Sequence, residues 1–365
     1  MKKRIFSIMI ASAMMLTLLA GCGKAEGTTE SKSEEPKTVE ATEADTSEDI
    51  EEPTEDSAAN DVADDTASED TEPTIDPGDG EATTDRSGNN IVIPANVERI
   101  VSMAPSTTRF LIDIGLADKI VAIDTNSYAY ASSLAEDVPQ FDMMAPDNEA
   151  IVSLNPDIIF TSGMSSFGGE DAFQSARDAG ICVADIPTST SFVDIKDDLE
   201  FIAHCVHAED AATDIVKQYK TEIDNISATG ALISSRKTIL FMISLPTEDY
   251  PSIYTFGTGT YLDEMITTIG AENVIQGQEG WVSISEEEAI AMNPDVIVTN
   301  VNYVDDVVNV IKSAQGWENV TAIKNGEVYY IDADASNQPN QHVVDAMIEM
   351  ATQVYPEIFK EYITE

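Results

Sequence analysis

The chain has 365 residues, of which 67 are acidic, 19 are Lys or Arg and 42% are hydrophobic. Its formal net charge of −48 excludes nucleic-acid binding, because contacts to phosphates need clusters of Lys and Arg. Three widely separated cysteines form no CxxC pair, which argues against a structural zinc site and against a disulfide-stapled module.

The first 22 residues have the layout of a secretion signal. A basic stretch at 1–4 precedes an apolar run at 5–19, and Leu-Ala-Gly-Cys ends at Cys22. The apolar run is too short to favour a permanent transmembrane helix, which needs about 20 residues. The ending resembles the lipobox of bacterial lipoproteins, and that resemblance implies a lipid on Cys22 and anchoring outside the cytoplasmic membrane. The alternative is an ordinary cleaved secretion signal with a chance cysteine.

Residues 23–90 have a different composition from the rest of the chain. They contain 23 acids and 4 bases, with many Thr, Ser, Ala and Pro and few large apolar residues. Such a segment cannot bury enough surface to offset its conformational entropy, and its charges repel one another. We therefore predict a disordered acidic linker that holds a folded part away from the membrane. A calcium role for these acids would need the Asp-x-Asp-x-Asp-Gly spacing of a loop site, which is missing.

From residue 91 onward, strand and helix patterns alternate. Residues 99–103 predict a strand, and an amphipathic run from Pro105 predicts a helix that ends at Gly115, a residue that tolerates positive φ. Further apolar strands are predicted at 120–123 and 158–161. Alternating strands and helices are typical of α/β proteins with parallel sheets covered on both faces.

The pattern occurs twice. The segment EAIVSLNPDII at 149–159 lies 138 residues before EEAIAMNPDVI at 287–297. Each places a glutamate at the start of a short helix, and an Asn-Pro-Asp turn then leads into a buried strand. We therefore predict two related three-layer lobes with mainly parallel sheets, at 91–205 and 237–365.

Residues 206–236 connect the two predicted lobes. Their apolar residues recur at spacings of three and four, which predicts one long backbone helix, with a central part of about 30 Å. A continuous helix limits the motion of the lobes to small tilts.

With the lobes and this helix in place, the chain resembles the solute-binding proteins of bacterial ABC importers. The resemblance rests on EAIVSLNPDIIF, EEEAIAMNPDVIV and GWENVTAIKNGEVYYID, and it points to the helical-backbone group that binds cobalamin, ferric siderophores or haem. It implies a monomeric carrier without a cofactor or enzymatic activity. Such a carrier captures a metal chelate in a cleft between the lobes and delivers it to a permease dimer.

The resemblance also implies where the ligand binds, namely at the carboxyl ends of the strands in both lobes. Matching positions here carry aromatic, hydroxyl and amide side chains, which suit a large ligand with amide edges, although Phe141 and Met143 also fit a core. The candidate ligand contacts are Ser106, Thr107, Arg109, Tyr128, Tyr130, Phe141, Met143, Tyr254, Phe256, Thr258, Trp281, Asn337 and Asn340.

Arg109 departs from the family pattern, in which the matching position usually carries glutamate. If Ser106 caps the helix, Arg109 lies in the first turn, where a cation opposes the helix dipole. The arginine either pairs with a carboxylate of the ligand, such as a propionate, or extends into solvent. No other base falls in the proposed cleft loops, which disfavours a triply anionic catecholate complex and leaves a corrinoid, a hydroxamate chelate or haem.

Glu149 and Glu287 occupy the same position of the repeated motif. In the family, the matching glutamate of each lobe contacts arginines of the two permease subunits, so both residues are candidates for docking. Glutamate in a first helical turn also stabilises the helix without any partner. The neighbours Glu286 and Glu288 leave the second assignment uncertain by one residue.

A metal-ion receptor and an extracellular enzyme are the two alternatives to a chelate carrier. A receptor for a bare metal ion would need several converging ligands, but His204, Cys205 and His207 are adjacent in sequence and His342 is the remaining histidine. We therefore predict no metal site. An extracellular enzyme acting on a chelate is the other alternative, and the chain lacks GxSxG, P-loop and HExxH motifs.

Overall fold

The computed structural model describes residues 80–363 apart from 167, 168 and 170. The predicted signal peptide at 1–22, its Cys22 and the predicted linker as far as residue 79 lie outside the described residues.

The N-lobe is built on a five-stranded parallel sheet with the strand order β5-β4-β3-β6-β7. The hairpin β1-β2 precedes this sheet. Buried Ile and Val on the central strands form the core between the helices and the sheet. The elements are β1 Glu81–Thr84, β2 Asn90–Ile93, β3 Ile100–Ser102, α1 Pro105–Asp113, β4 Ile120–Asp124, β5 Gln140–Phe141, α2 Asn148–Ser153, β6 Ile158–Ser162, α3 Gln174–Asp178 and β7 Cys182–Ile186.

Two helices follow the N-lobe, α4 at Phe192–Cys205 and α5 at Glu209–Gly230. The 22 residues of α5 extend over about 33 Å at 1.5 Å per residue. Tyr219 and Ile226 of α5 are buried in a single apolar cluster that contains residues of both lobes. The helix is therefore packed along one face against this shared core and is not an isolated linker.

The C-lobe has a four-stranded parallel sheet with the order β10-β8-β12-β13 and a separate two-stranded antiparallel sheet of β9 and β11. This strand order corresponds to the order β4-β3-β6-β7 within the N-lobe sheet. The elements are β8 Thr238–Met242, β9 Ser252–Phe256, α6 Tyr261–Thr268, β10 Glu272–Asn273, β11 Trp281–Ser285, α7 Glu286–Met292, β12 Val296–Thr299, α8 Val307–Lys312, α9 Thr321–Asn325, β13 Val328–Tyr330, α10 Ala333–Asn337 and α11 Val343–Val354.

The repeated motif has the same geometry in both lobes. Asn155 after α2 and Asn293 after α7 both adopt left-handed backbone angles, with φ of 47° and 48°. The aspartate two residues later accepts backbone N–H bonds from the neighbouring strand in each lobe: Asp157 from Arg99, and Asp295 from Thr238. Asn-Pro-Asp thus ends the helix and fixes the following strand to the sheet.

Two predicted boundaries are corrected by the structure. Residues 81–84 were assigned to the linker but form β1, because their backbone pairs with β2 and Asp85 binds the N–H groups of Ser87 and Asn89 in the turn. The backbone helix is shorter than the predicted 206–236, since it begins after Ala208 and ends at Gly230.

The predicted cap of α1 is also corrected. Ala104, not Ser106, is the N-cap residue, because Pro105 takes the first helical position, where its missing N–H has no consequence. The predicted end of this helix at Gly115 is confirmed, since Gly115 has a φ of +83° and follows the C-cap Ile114.

Candidate functional site

Large apolar side chains are exposed in loops that follow the carboxyl ends of the parallel strands. In the N-lobe they lie after β4, β5 and β6, and in the C-lobe after β8 and β12. The carboxyl ends of parallel strands share one edge of the sheet, where ligands of α/β proteins bind. The exposed residues are Tyr128, Met144 and Met164 in the N-lobe and Tyr250 and Tyr303 in the C-lobe.

The two-stranded β9-β11 sheet presents Trp281 beside this edge. The indole stacks on Tyr254 with ring centroids 5.9 Å apart and meets the buried Phe256 edge-on at 6.3 Å. Trp281 remains 38% exposed. Gly257 permits this arrangement, because a Cβ there would lie 2.0 Å from the carbonyl oxygen of Gln278 in the segment that leads into β11. The result is a fixed aromatic surface with one open face.

A set of polar contacts joins the two lobes. The Arg109 guanidinium lies 5.8 Å from the ring centroid of Tyr130, and the Tyr130 hydroxyl donates to Gln338 Oε1 of the C-lobe at 2.6 Å. One turn further along α1, the same face of the helix presents Asp113, whose Oδ2 accepts from Arg109 Nε at 3.0 Å.

Asp113 also binds the start of α11. Its Oδ2 accepts from Gln341 Nε2 at 2.6 Å and lies 2.8 Å from His342 Nε2, while His342 Nδ1 lies 2.6 Å from Asp345. Hydrogen bonds to the Asp113 and Asp345 carboxylates raise the pKa of His342 to about 9, so the ring is charged at neutral pH. Burial opposes ionisation of Asp113, but the bonds from His342 and Arg109 outweigh it and lower its pKa.

A cavity of about 210 Å³ lies beside these contacts. The N-lobe contributes Arg109 and Tyr130, and the C-lobe contributes the remainder of the wall, including four carboxylates. The C-lobe residues are Asp332, Asp334, Ala335, Gln338, Asn340, His342, Asp345 and Glu349.

The structure separates the predicted ligand contacts into three groups. Arg109, Tyr130 and Asn340 line the cavity. A second group lies at the surface or is half-buried: Ser106, Tyr128, Phe141, Tyr254, Thr258, Trp281 and Asn337.

The third group is Thr107, Met143 and Phe256. All three are buried and, unlike the similarly buried Tyr130 and Asn340, none of them lines the cavity. Met143 packs in an N-lobe core cluster, and Phe256 supports Trp281 from behind. Near the strand ends, buried and exposed side chains follow one another along the chain. The sequence alone does not show which of these side chains points into the core.

Several residues of the site were not predicted. Tyr303 and Asp334 are the clearest cases, together with His342, which sequence analysis treated only as a remaining histidine. Tyr303 directly follows β12, the strand of the second repeated motif, so extending the repeat into its loop would have found it. Asp334 and His342 needed knowledge of how α10 and α11 meet the N-lobe.

A buried polar network supports the loop that carries Tyr128 and Tyr130. Ser127 Oγ donates to Asp124 Oδ2 and also contacts Thr108 Oγ1 at 3.2 Å, and Thr108 donates to Ser102 Oγ at 2.8 Å. The network ties the loop to the ends of β3 and β4 and to α1. It fixes the backbone from which both tyrosines project.

The repeated glutamates occupy equivalent positions. Glu149 and Glu287 are each the second residue of a helix and are exposed. Their neighbours are engaged: Glu286 Oε1 accepts from Trp317 Nε1 at 3.1 Å, and Glu288 forms a capping box with Ser285. Among the described residues, Glu287 alone of this acidic triplet makes no side-chain hydrogen bond.

His204 and His207 each have a hydrogen-bond partner. His204 Nδ1 lies 2.9 Å from Glu209, and His207 Nε2 lies 2.8 Å from the carbonyl oxygen of Pro94. Across the part of the chain that the structure describes, no three His, Cys, Asp or Glu side chains form a group suited to a metal ion. In the same part, no helix has both the length and the apolar character needed to cross a bilayer.

Comparison with known proteins gives consistent matches. A family model described as "Periplasmic binding protein" matches residues 100–335. The uncharacterized ABC transporter substrate-binding lipoprotein YvrC of Bacillus subtilis is 31% identical over 278 residues, covering 76% of this chain and 86% of YvrC.

Two further relatives carry names that specify a ligand. A vitamin B12-binding protein of Vibrio cholerae is 24% identical over 261 residues, covering 71% of this chain and 90% of that protein. The solved structure of MolA from Haemophilus influenzae, bound to molybdate, has a TM-score of 0.66 at 21% identity and covers 77% of this chain and 93% of MolA. The likeness to MolA supports the predicted two-lobe α/β fold, and the two names show that similar chains bind different ligands.

Proposed function

This chain belongs to the periplasmic binding protein family, and we propose from that membership that it captures a bulky metal chelate between its lobes for import. It is the substrate-binding component of an ABC transporter. The observation that carries the ligand class is the set of exposed aromatic and methionine side chains at the strand ends of both lobes. Such side chains pack well against a macrocycle or a chelate with apolar faces.

The charge of the site narrows the ligand further. A small oxyanion would need several hydrogen-bond donors and cations, but the cavity wall contains four carboxylates, and its two cations already have carboxylate partners. A corrinoid, a hydroxamate chelate or haem therefore fits better than a molybdate-like ion or a triply anionic catecholate complex. The relative from Vibrio cholerae supports the corrinoid among these.

The chain would act as a monomer at the outer face of the membrane. A lipid on Cys22 would anchor it, and the segment that follows would serve as a linker. Residues 1–22 and most of this linker lie outside the described residues. This part of the proposal therefore rests on the sequence and on the lipoprotein name of YvrC.

Delivery would use one glutamate from each lobe. Glu149 and Glu287 are equivalent in position, exposed and free of side-chain hydrogen bonds within the described part of the chain. A two-lobed carrier with one such charge per lobe matches a permease made of two similar subunits.

A thermal-denaturation screen tests the ligand class. The full chain is heated with cobalamin, haem, a ferric hydroxamate and a ferric catecholate, and a ligand that binds the folded state raises the melting temperature. We expect one of the first three to do so. Replacing Trp281 with Ala should reduce that shift, whereas replacing the exposed Leu232, which follows α5, should not. A chain that none of these chelates stabilises would contradict the proposed ligand class.

A further inference from the structure

The cavity between Arg109 and the start of α11 has an unbalanced set of charges. Its two cationic side chains already bind carboxylates: Arg109 binds Asp113, and His342 binds Asp113 and Asp345. Asp113 is not part of the cavity wall, so its charge offsets these cations without being presented to the cavity. The wall that faces a ligand is therefore electronegative.

The four wall carboxylates differ in their partners. Asp332 Oδ1 accepts from the backbone N–H of Ala335, Glu349 accepts from the backbone N–H of Asp332, and Asp345 pairs with His342. Asp334 makes no hydrogen bond to any residue that the structure describes. It is thus the one wall carboxylate with its full accepting capacity available to a ligand.

A buried amide side chain provides a hydrogen-bond donor in the same cavity. Asn340 lines the same cavity and is only 1% exposed. Its Oδ1 accepts from the backbone N–H of His342, but its Nδ2 has no acceptor within the described ranges. Because Asn340 lines the cavity, this amide N–H group is available to donate to a ligand oxygen there.

We propose that this cavity is a subsite for a neutral primary amide on the edge of the ligand, and that Asp334 makes it discriminate against a carboxylate at the same place. This inference rests on the proposed function. An amide matches both free groups, since its NH₂ donates to Asp334 and its oxygen accepts from Asn340. A carboxylate satisfies Asn340 equally well but is repelled by Asp334 and has no hydrogen to donate.

The test compares amide and acid forms of the same ligand. The full chain is titrated calorimetrically with cobalamin and with its monocarboxylic acids, in which one peripheral amide is an acid, and in parallel with haem and haem diamide. We expect at least one acid form to bind about 5–20-fold more weakly than its amide form, and the difference to shrink as salt screens the cavity.

Asp334→Asn identifies the residue responsible. The variant should bring the acid form to within about twofold of the amide form, because the repulsion is lost while an accepting oxygen remains. Asp214→Asn is the matched control: it removes the same charge from an exposed position on α5 and should leave the difference unchanged.

The outcomes separate this inference from the proposed function. Equal affinities of acid and amide forms, or a difference that persists in Asp334→Asn, would overturn the subsite while leaving the carrier function intact. Binding of neither the corrinoid pair nor the porphyrin pair would overturn the macrocyclic ligand itself and the subsite with it.

Discussion

His342 joins the two lobes through one imidazole ring. Its Nε2 faces Asp113 of the N-lobe and its Nδ1 faces Asp345 on its own helix, so the charged form of the ring is stabilised from both sides. Arg109 shares Asp113 and lies over Tyr130. In this contact between the lobes, the cations of Arg109 and His342 therefore share the half-buried carboxylate of Asp113.

We predict that this ring makes stability depend on pH. The pKa of His342 is raised to about 9 in the folded chain, against about 6.5 for an unperturbed histidine. The contribution of the charged ring to the free energy of unfolding is therefore complete below about pH 6.5 and is lost as the pH rises through about 9. Because solvent screens the partly exposed ring, we expect this contribution to be about 1 kcal/mol.

Urea unfolding at about pH 6, 8 and 10 measures this contribution as a difference between variants. His342→Gln should lose stability at pH 6 and match the wild-type chain at pH 10. His207→Gln, which removes an exposed ring bonded to Pro94, is the control. Curves for His342→Gln that run parallel to the wild type at all three pH values would contradict the prediction.

Residue roles were the least predictable part of the molecule. The helical position of Arg109 depended on the choice between Ala104 and Ser106 as the cap, and the true pairing with Asp113 crosses one turn of α1. The acidic triplet at 286–288 was ambiguous in sequence because Trp317, which engages Glu286, lies 31 residues away. Contacts between distant residues decide both cases.

At the scale of secondary structure, α5 meets the C-lobe through two glycines. A Cβ on Gly230 at the end of α5 would lie 2.2 Å from the carbonyl oxygen of Thr268, and one on Gly270 would lie 2.4 Å from the carbonyl oxygen of Gly230. The backbones of α5 and of the turn after α6 are thus in direct contact. This contact holds the long helix against the lobe.

We predict that Gly230→Ala destabilises the folded chain. Alanine favours helix by about 1 kcal/mol over glycine, but the clash is with backbone atoms that cannot move independently, so a net loss of about 2 kcal/mol is expected. Urea unfolding measures the change in the free energy of unfolding. Ser227→Ala, on the exposed side of the same helix, should change it by less than about 0.5 kcal/mol. A neutral or stabilising Gly230→Ala would show that the contact is not constrained.

The elements themselves were more predictable than the residues. The strands at 120–124 and 158–162 appear where their apolar runs predict them, and the repeated Asn-Pro-Asp turn forms in both lobes. Strand β1 was missed because Glu81–Thr84 is polar and acidic. Its stability comes from pairing with β2, which local composition does not record.

On the scale of the whole molecule, the internal repeat predicts the architecture. A segment that recurs at an interval of 138 residues must build the same unit twice, and the matching strand orders of the two sheets confirm this. The cleft follows from the arrangement of the lobes, but the contact network that joins them involves residues without any repeat partner, such as Asp113 and His342. These had no signal in the sequence.

We predict that charge reversal at the repeated glutamates impairs delivery but not binding. Glu149→Arg and Glu287→Arg should each lower uptake of the ligand by about tenfold, since each would place a cation against the cationic docking surface expected on the permease. Calorimetric affinity for the ligand should stay unchanged. Transport assays in cells that express each variant measure the effect.

The matched control for delivery is Glu357→Arg, an equal charge reversal at an exposed position after α11. It should leave uptake unchanged. Normal uptake by both Glu149→Arg and Glu287→Arg would refute the docking role, and reduced affinity in either would show that the substitution disturbs the cleft.

The aromatic stack on the two-stranded β9-β11 sheet has an optical consequence. The chain has two tryptophans, and they lie in opposite surroundings: Trp281 is 38% exposed and stacked on Tyr254, whereas Trp317 is 2% exposed in the C-lobe core. Near-ultraviolet emission from this protein is therefore the sum of a solvent-sensitive fluorophore and a shielded one. A light-absorbing ligand bound against the β9-β11 sheet would quench Trp281 far more than Trp317, so the emission spectrum would shift towards shorter wavelengths as the ligand binds.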